Sequence, residues 1–206
     1  MNLRSRLYNL SSRTRLVILV LIVGLCLGGA FAWHARYSKS VKPASVPVII
    51  TSRAYNEPHN LYKLSIPTTW QIQTDIAKPA TVDSMVSMAP KAALANYTKV
   101  VGNDYLSLVN ISTLKSPDEP KVWFTSQNFG TVVVSSDLSV NGYPSYEAKV
   151  ISADGVTVTD HYVISHNGNL LHFTLNETEP VNGHIQNFGQ YVSEYDHMVT
   201  SLKFND

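Results

Sequence analysis

Hydrophobic and polar residues alternate through much of the second half of the chain, and this period of two predicts β-strands. The clearest pair of strands spans 156–166 and 169–176, on either side of Asn167-Gly168. An Asn-Gly pair favours a type I′ turn, because both central residues of that turn need a positive φ. The sequence therefore predicts a β-hairpin with its tip at this dipeptide.

The position of the turn also predicts the register of this hairpin. Ile164 should lie opposite Leu171 on one face of the sheet. His161 and His172 then fall together on the other face, diagonal to each other. Because both positions are polar, we expect that face to be half exposed.

Further short strands are predicted at 61–67, 84–90, 105–114 and 131–140, each ending near Pro, Asn or Gly. A helix is predicted to begin at 116–119, where Ser-Pro-Asp-Glu is typical of a helix start, and to end at Gly130, with an apolar side of Val122, Trp123 and Phe129. A second helix is predicted over 184–199, where an apolar stripe follows the helical period: Ile185, Phe188, Val192, Tyr195 and Val199. Runs of strands with few helices predict an α+β fold around a mainly antiparallel sheet.

The N-terminal region has a different pattern. Residues 16–33 form an uncharged run of eighteen, which as a helix would span about 27 Å and match the hydrocarbon core of a bilayer. A basic segment at 1–15 precedes it, and a proline-containing linker at 34–54 follows. This order predicts a single-pass protein of the cell membrane, with a cytoplasmic N-terminus and an extracytoplasmic domain at 55–206.

Three alternatives remain open for this segment. Ala30-Phe31-Ala32 fits the small-x-small pattern of a signal peptide cleaved after Ala32. Cys26 could carry a lipid, although Leu25 occupies the place of the small residue that normally precedes a lipidated cysteine. Gly24 and Gly28 form a G-x-x-x-G pair that could bring two membrane helices together in a homodimer.

Composition narrows the classes of function. Residues 1–42 carry a formal net charge of +7, whereas residues 43–206 carry −6. An acidic domain of this kind excludes sequence-independent binding to nucleic acid, because that binding relies on lysine and arginine at the phosphates. A single cysteine excludes an intramolecular disulfide framework and a multi-cysteine zinc site.

Three short motifs resemble a known family. The segment YKLSIPTTWQI at 62–72 resembles the aromatic strand, proline and tryptophan that open PsbP-like domains. The segment VNGYPSYEAKV at 140–150 resembles their Asn-Gly hairpin, and SLKF at 201–204 their last strand. The resemblance covers 55–206 and implies an α/β/α sandwich around an antiparallel sheet. The fold hosts photosystem extrinsic subunits and Ran-binding proteins, so it does not fix the function.

The sequence offers no catalytic constellation. It contains no G-x-S-x-G elbow, P-loop, G-x-G-x-x-G or H-E-x-x-H motif. His161 and His172 lack a third ligand for a metal, since Asp160 should point to the opposite face of the sheet. We therefore predict no catalytic, cofactor-binding or metal-binding residue.

These observations predict an extracytoplasmic binding or interaction module, tethered to the membrane through residues 16–33, with an unknown protein partner and without catalysis of its own. The alternatives are an accessory assembly subunit of a membrane complex and a hydrolase of the cell envelope. An exposed apolar patch would favour the assembly subunit. A deep pocket with a strongly shifted histidine or carboxylate would favour the hydrolase.

Overall fold

The computed structural model of this chain describes residues 50–73, 78–102, 106–181 and 184–205. The predicted membrane segment at 16–33 lies outside the described residues. The same holds for the features predicted within it, which are Gly24, Cys26, Gly28 and the candidate cleavage site after Ala32. Within the described part of the chain, no helix is long and apolar enough to cross a membrane.

The described elements follow one another along a compact unit that begins at Ile50. In chain order they are β1 (Ser52–Asn56), β2 (Tyr62–Pro67), β3 (Trp70–Gln73), β4 (Ser84–Pro90), α1 (Lys91–Val101), β5 (Val109–Lys115), α2 (Pro120–Ser126), β6 (Thr131–Val140), β7 (Tyr143–Ile151), β8 (Val158–His166), β9 (Asn169–Asn176), β10 (Thr178–Val181), β11 (His184–Asn187), a 3₁₀ turn (Gly189–Tyr191), α3 (Val192–Thr200) and β12 (Lys203–Phe204).

The main sheet has seven strands in the order β3-β4-β5-β9-β8-β7-β6, and each neighbouring pair is antiparallel. A three-stranded sheet, β1-β2-β12, and the hairpin β10-β11 accompany it. The predicted mainly antiparallel sheet with few helices is therefore confirmed. Strand β1 begins at Ser52, inside the segment that the sequence predicted as linker.

Helices cover both faces of the main sheet. The larger core packs α1, α3 and β2 against one face and contains Trp70, Phe173 and Tyr195, all fully buried. The smaller core packs α2 against the other face, with Trp123 and Phe124 over β7, β8 and β9. Successive strand residues contribute to opposite cores, as the alternation of side chains along a strand requires.

The predicted hairpin is confirmed in both its turn and its register. Asn167 and Gly168 have φ values of 49° and 73°, which a type I′ turn requires. Ile164 pairs with Leu171, and β8 and β9 continue in register from this turn to Thr159. The local turn chemistry thus sets which side chains face each core.

Two helix predictions need correction. The segment 184–199 begins as strand β11, and its helix starts only at Val192, so that Ile185 is 61% exposed rather than part of an apolar stripe. Pairing with β10 has overridden the helical period there. Helix α2 is shorter than predicted, and Val122 points to solvent instead of joining the apolar side.

Helix α1 was missed by the sequence analysis. Ala93, Leu94 and Tyr97 pack on the larger core, and Gly102 ends the helix with a φ of 72° and a backbone N–H that donates to the carbonyl of Thr98. This left-handed end is the conformation in which glycine is common after a helix. The spacing of the three apolar residues and the glycine were the available signals.

Candidate interaction surface

The most exposed apolar feature in the described part of the chain lies along β6. This strand occupies one end of the main sheet and pairs only with β7 among the described strands. All residues from Thr131 to Asp137 are exposed, and the three consecutive valines at 132–134 are 43, 52 and 63% exposed. An edge strand presents unpaired backbone N–H and C=O groups, which can bind another strand.

The register of β6 divides this edge into two parts. A bulge at Val133 shifts the pairing, so that Val132 lies opposite Val150 and Val134 opposite Lys149. From Val134 to Val140 the pairing is regular. The regular part offers the backbone of seven residues to a further strand, and the bulge places valines on both faces beside it.

The charge on this edge is small and internally balanced. Thr131 to Ser136 contains no ionisable residue. Asp137 accepts a hydrogen bond from the Lys121 ammonium of α2 at 2.9 Å, and this contact raises the pKa of Lys121. The outer surface of β6 is therefore close to neutral and carries three exposed valines; we call it the β6 edge.

Phe129 joins the β6 edge to the core beneath α2. Its neighbours Asn128 and Gly130 have φ values of 53° and 141°, and this backbone turns the ring toward the sheet. The ring lies tilted against both imidazoles, at centroid distances of 4.9 Å from His161 and 5.2 Å from His172, while remaining 37% exposed. Phe129 is thus a partly exposed aromatic cover over the two histidines.

The two histidines are not half exposed, as the sequence analysis expected, but buried. His161 and His172 are 4% and 9% exposed, their rings are nearly parallel at 7°, and the His161 Nδ1 to His172 Nε2 distance is 2.9 Å. Trp123 and Phe124 pack edge-on against the pair. Helix α2 and Phe129 thus cover a face that the sequence left open.

This environment keeps both rings neutral. Burial lowers the pKa of His161 to about 4. Burial, together with the neighbouring His161, lowers the pKa of His172 to about 3. One of these two nitrogens donates a hydrogen bond and the other accepts it, so both are satisfied although they are buried among aromatic rings.

Asp160 points to the opposite face, as the strand alternation predicted. The ammonium of Lys149 lies 3.3 Å from the Asp160 carboxylate and 2.6 Å from that of Glu177. Burial and the charge of Glu177 raise the pKa of Asp160 to about 8. For Lys149, the hydrogen bond to Glu177 and both carboxylates outweigh burial and raise its pKa. This cluster ties β7 and β8 to the segment that follows β9.

The other residues singled out from the sequence lie apart from one another. Asp118 is exposed, and Glu119 precedes α2 without a side-chain capping bond. His184 is exposed in β11, and His197 is half-buried in α3. Over the ranges that the structure describes, no group of three or more histidine, cysteine or carboxylate side chains is arranged to hold a metal ion.

The exposure of the β6 edge was not predicted from the sequence. Its signal was the run of three valines at 132–134, which breaks the hydrophobic-polar alternation of a half-buried strand. Three β-branched residues in a row suit either a strand buried on both faces or an exposed one. Only the position of β6 at the end of the sheet distinguishes these two cases.

Comparison with known proteins adds information on the fold. No family model matches this chain, and no curated protein matches it. Solved structures to which it is similar include cyanobacterial PsbP from Synechocystis (14% identity, TM-score 0.44, 78% of this chain and 96% of that one) and the Saccharomyces cerevisiae Ran-binding protein Mog1p (10%, 0.46, 75% and 95%).

A Bacteroides thetaiotaomicron protein is also similar, at 8% identity and a TM-score of 0.46. The match covers 75% of this chain, which spans about half the length of the Bacteroides protein, 48%. PsbP, whose family the sequence motifs resemble, is thus among the solved structures that are similar to this chain. At these identities and TM-scores the likeness carries no inference on function, which must come from the geometry of this chain.

Proposed function

We propose that this protein is an interaction module, without catalysis of its own, that is tethered to the cell membrane and binds an extended segment of a partner protein along the β6 edge. The observation that carries the proposal is the ten-residue edge strand with three exposed valines and no described neighbour on its outer side. Strand addition is a common mode of peptide recognition, in which backbone hydrogen bonds supply affinity and side chains supply specificity.

The chemistry of the edge defines the segment that would fit. Because Thr131 to Ser136 is uncharged and Asp137 is paired with Lys121, a charged strand would lose hydration without gaining an ionic partner. An extended segment rich in aliphatic residues would instead cover the valines. The bulge at Val133 disfavours a second copy of β6, since two bulges would meet in an antiparallel self-pairing centred on the valines.

A site-specific cross-link tests where the partner binds. With a photo-reactive benzoylphenylalanine at Val133, illumination of cells should join the chain to one partner protein, because Val133 is 52% exposed at the edge. The same residue at Ile185, which is 61% exposed in β11, is the matched control. Equal capture at both positions, or capture of another copy of this chain, would contradict the proposal.

Binding of the captured segment provides the decisive measurement. A synthetic peptide of that segment should slow amide hydrogen exchange across Val134–Val140. Val134→Lys should raise the Kd of the peptide roughly tenfold, which is about 1.4 kcal/mol of binding free energy. The reason is that the lysine places an unpaired charge in the new strand pair. Ile185→Lys is the control for added charge. A peptide that binds without protecting β6 would place the interaction elsewhere.

The membrane tether is a separate part of the proposal. It rests on the uncharged run at 16–33, the four arginines before it and the aromatic residues Trp33 and Tyr37 at its end. We expect the mature chain to keep its N-terminus, to stay in the membrane after alkaline carbonate washing, and to expose its domain to protease on the outer side. A mature chain that begins at Trp33 would instead identify a cleaved signal peptide.

A further inference from the structure

A cleft lies between α1 and the stretch that runs from the end of β11 into the 3₁₀ turn, near the end of the main sheet remote from β6. Its volume is about 130 Å³. Helix α1 forms one wall with Ala93, Asn96 and Tyr97. The other wall is formed by Gln186, Phe188, Gln190 and Tyr191.

The lining of this cleft is neutral but rich in hydrogen-bonding groups. It contains no lysine, arginine, aspartate or glutamate among the described residues. Asn96, Gln186 and Gln190 bring three carboxamides to this lining; Asn96 and Gln190 are exposed and Gln186 is half-buried. A carboxamide both donates and accepts, so these three groups suit a ligand that presents both kinds of atom.

Glu179 lies near the cleft but outside its lining, and the residue is half-buried. It lies directly opposite Gln186 in the β10–β11 hairpin, so the two side chains share a face. Its charge raises the pKa of Tyr97, whose ring lines the cleft, after the contribution of burial. Glu179 Oε2 is buried and has no hydrogen-bond partner among the described residues. A buried carboxyl oxygen without a donor is unusual.

The wall that carries Tyr191 is held in place by the core. The ring of Tyr191 packs edge-on against Trp70 at 5.9 Å, and the Trp70 indole N–H donates to Glu194 at 2.6 Å. The Asn187 side chain accepts a hydrogen bond from the backbone N–H of Gly189 at 2.8 Å. The cleft is therefore organised before any ligand enters, which reduces the entropy lost on binding.

We propose that this cleft binds one ring of a neutral saccharide. Sugar hydroxyls match the three carboxamides, and the rings of Tyr97 and Tyr191 offer apolar faces to the C–H side of a sugar. The volume is below the roughly 300–1,000 Å³ of pockets for drug-sized ligands, so a single ring fits while the rest of the saccharide stays in solvent. The site is independent of the β6 edge.

Ligand-observed saturation-transfer NMR on the full chain tests this proposal. The probes are the neutral disaccharides N,N′-diacetylchitobiose, maltose and cellobiose, with the protein in a detergent that has no sugar headgroup. We expect at least one of them to bind saturably with a Kd in the millimolar range, about −4 kcal/mol, as is reasonable for one enclosed ring.

Substitutions distinguish the cleft from weak surface binding. Gln186→Ala and Tyr97→Ala should each weaken the best probe by fivefold or more, whereas Gln71→Ala, which removes an exposed carboxamide from β3, should leave the Kd unchanged. Near-ultraviolet circular dichroism would verify that each variant is folded. Absence of saturable binding for all three disaccharides up to about 50 mM, equal binding by every variant, or comparable binding of triglycine would overturn the proposal.

Discussion

Acidification from pH 7 to pH 5 is expected to lower the free energy of unfolding by about 4 kcal/mol through His161 and His172 alone. In the folded chain their pKa values are about 4 and about 3, whereas a histidine in an unfolded chain titrates near 6.5. Below pH 6.5 the unfolded chain therefore binds protons that the folded chain does not. By pH 5 each histidine has lowered the free energy of unfolding by about 2 kcal/mol. This loss continues until the pH falls to the pKa of the histidine in the folded chain.

The surroundings of the pair favour a clean measurement. The rings that pack on it belong to Trp123, Phe124 and Phe129, none of which titrates. Lys149 and Asp160 lie on the opposite face of the sheet, and their own titration is common to wild type and variant. The contribution of the histidines is therefore the difference between the two proteins at each pH.

A suitable variant replaces both histidines at once, as in His161→Leu with His172→Met. Replacing both partners of a buried hydrogen bond by apolar groups of similar shape is close to neutral, whereas replacing one leaves a buried nitrogen unpaired. Urea unfolding followed by tryptophan fluorescence at pH 7, 6 and 5 should show wild type losing about 4 kcal/mol relative to the double variant. If the difference in free energy of unfolding between wild type and the double variant stays constant with pH, the two histidines are not held neutral in the folded chain.

Gly130→Ala is expected to destabilise the chain by about 3 kcal/mol. Gly130 has a φ of 141°, in a region that is strained for any residue with a Cβ by roughly 1–3 kcal/mol. A Cβ at this position would lie 2.5 Å from the carbonyl oxygen of Ile151 and 3.0 Å from Cγ1 of Val150. The backbone must therefore shift, at a further 1–3 kcal/mol typical of overpacking.

Gly168→Ala is the matched control for this substitution. Gly168 also has a positive φ, 73°, but a Cβ there would meet nothing within 4 Å. Only the left-handed strain of roughly 1–2 kcal/mol should appear. Chemical denaturation of the two variants, compared with wild type, separates strain from steric overlap. Equal losses would show that the space beside Ile151 can adapt.

The same comparison reports on Phe129. Because Gly130 follows Phe129 directly, a shift at Gly130 should displace the ring from His161 and His172. The protected imidazoles would then titrate closer to pH 6.5, which histidine NMR can measure in Gly130→Ala but should not find in Gly168→Ala.

Local chemistry explains the features that were predictable from the sequence. Asn167-Gly168 specifies a turn with two positive φ values, and in a strand of period two that turn alone places Ile164 opposite Leu171. The same logic put His161 and His172 on one face and Asp160 on the other. The antiparallel α+β class followed from short strand runs separated by turns.

Where the predictions failed, a distant partner had overridden the local pattern. The apolar spacing at 184–199 is helical, but Ile185 pairs with Pro180 of β10 and becomes exposed in a strand. Helix α1 depends on packing against a core that its own short sequence does not indicate strongly. Neither outcome can be derived from a window of ten or fifteen residues.

By itself, the sequence determined the hairpin turns, their register, the face on which each strand residue lies and the acidic character of the domain, because these depend on neighbours or on counting. Only the tertiary structure decided which polar face is covered and which apolar strand is not. Helix α2 and Phe129, more than thirty residues before His161, bury the histidines. The valines of β6 stay exposed because that strand comes last in the sheet. Burial is set by contacts between segments that are distant in sequence. The alternation of residues along a strand does not indicate which other segment will pack against each of its faces.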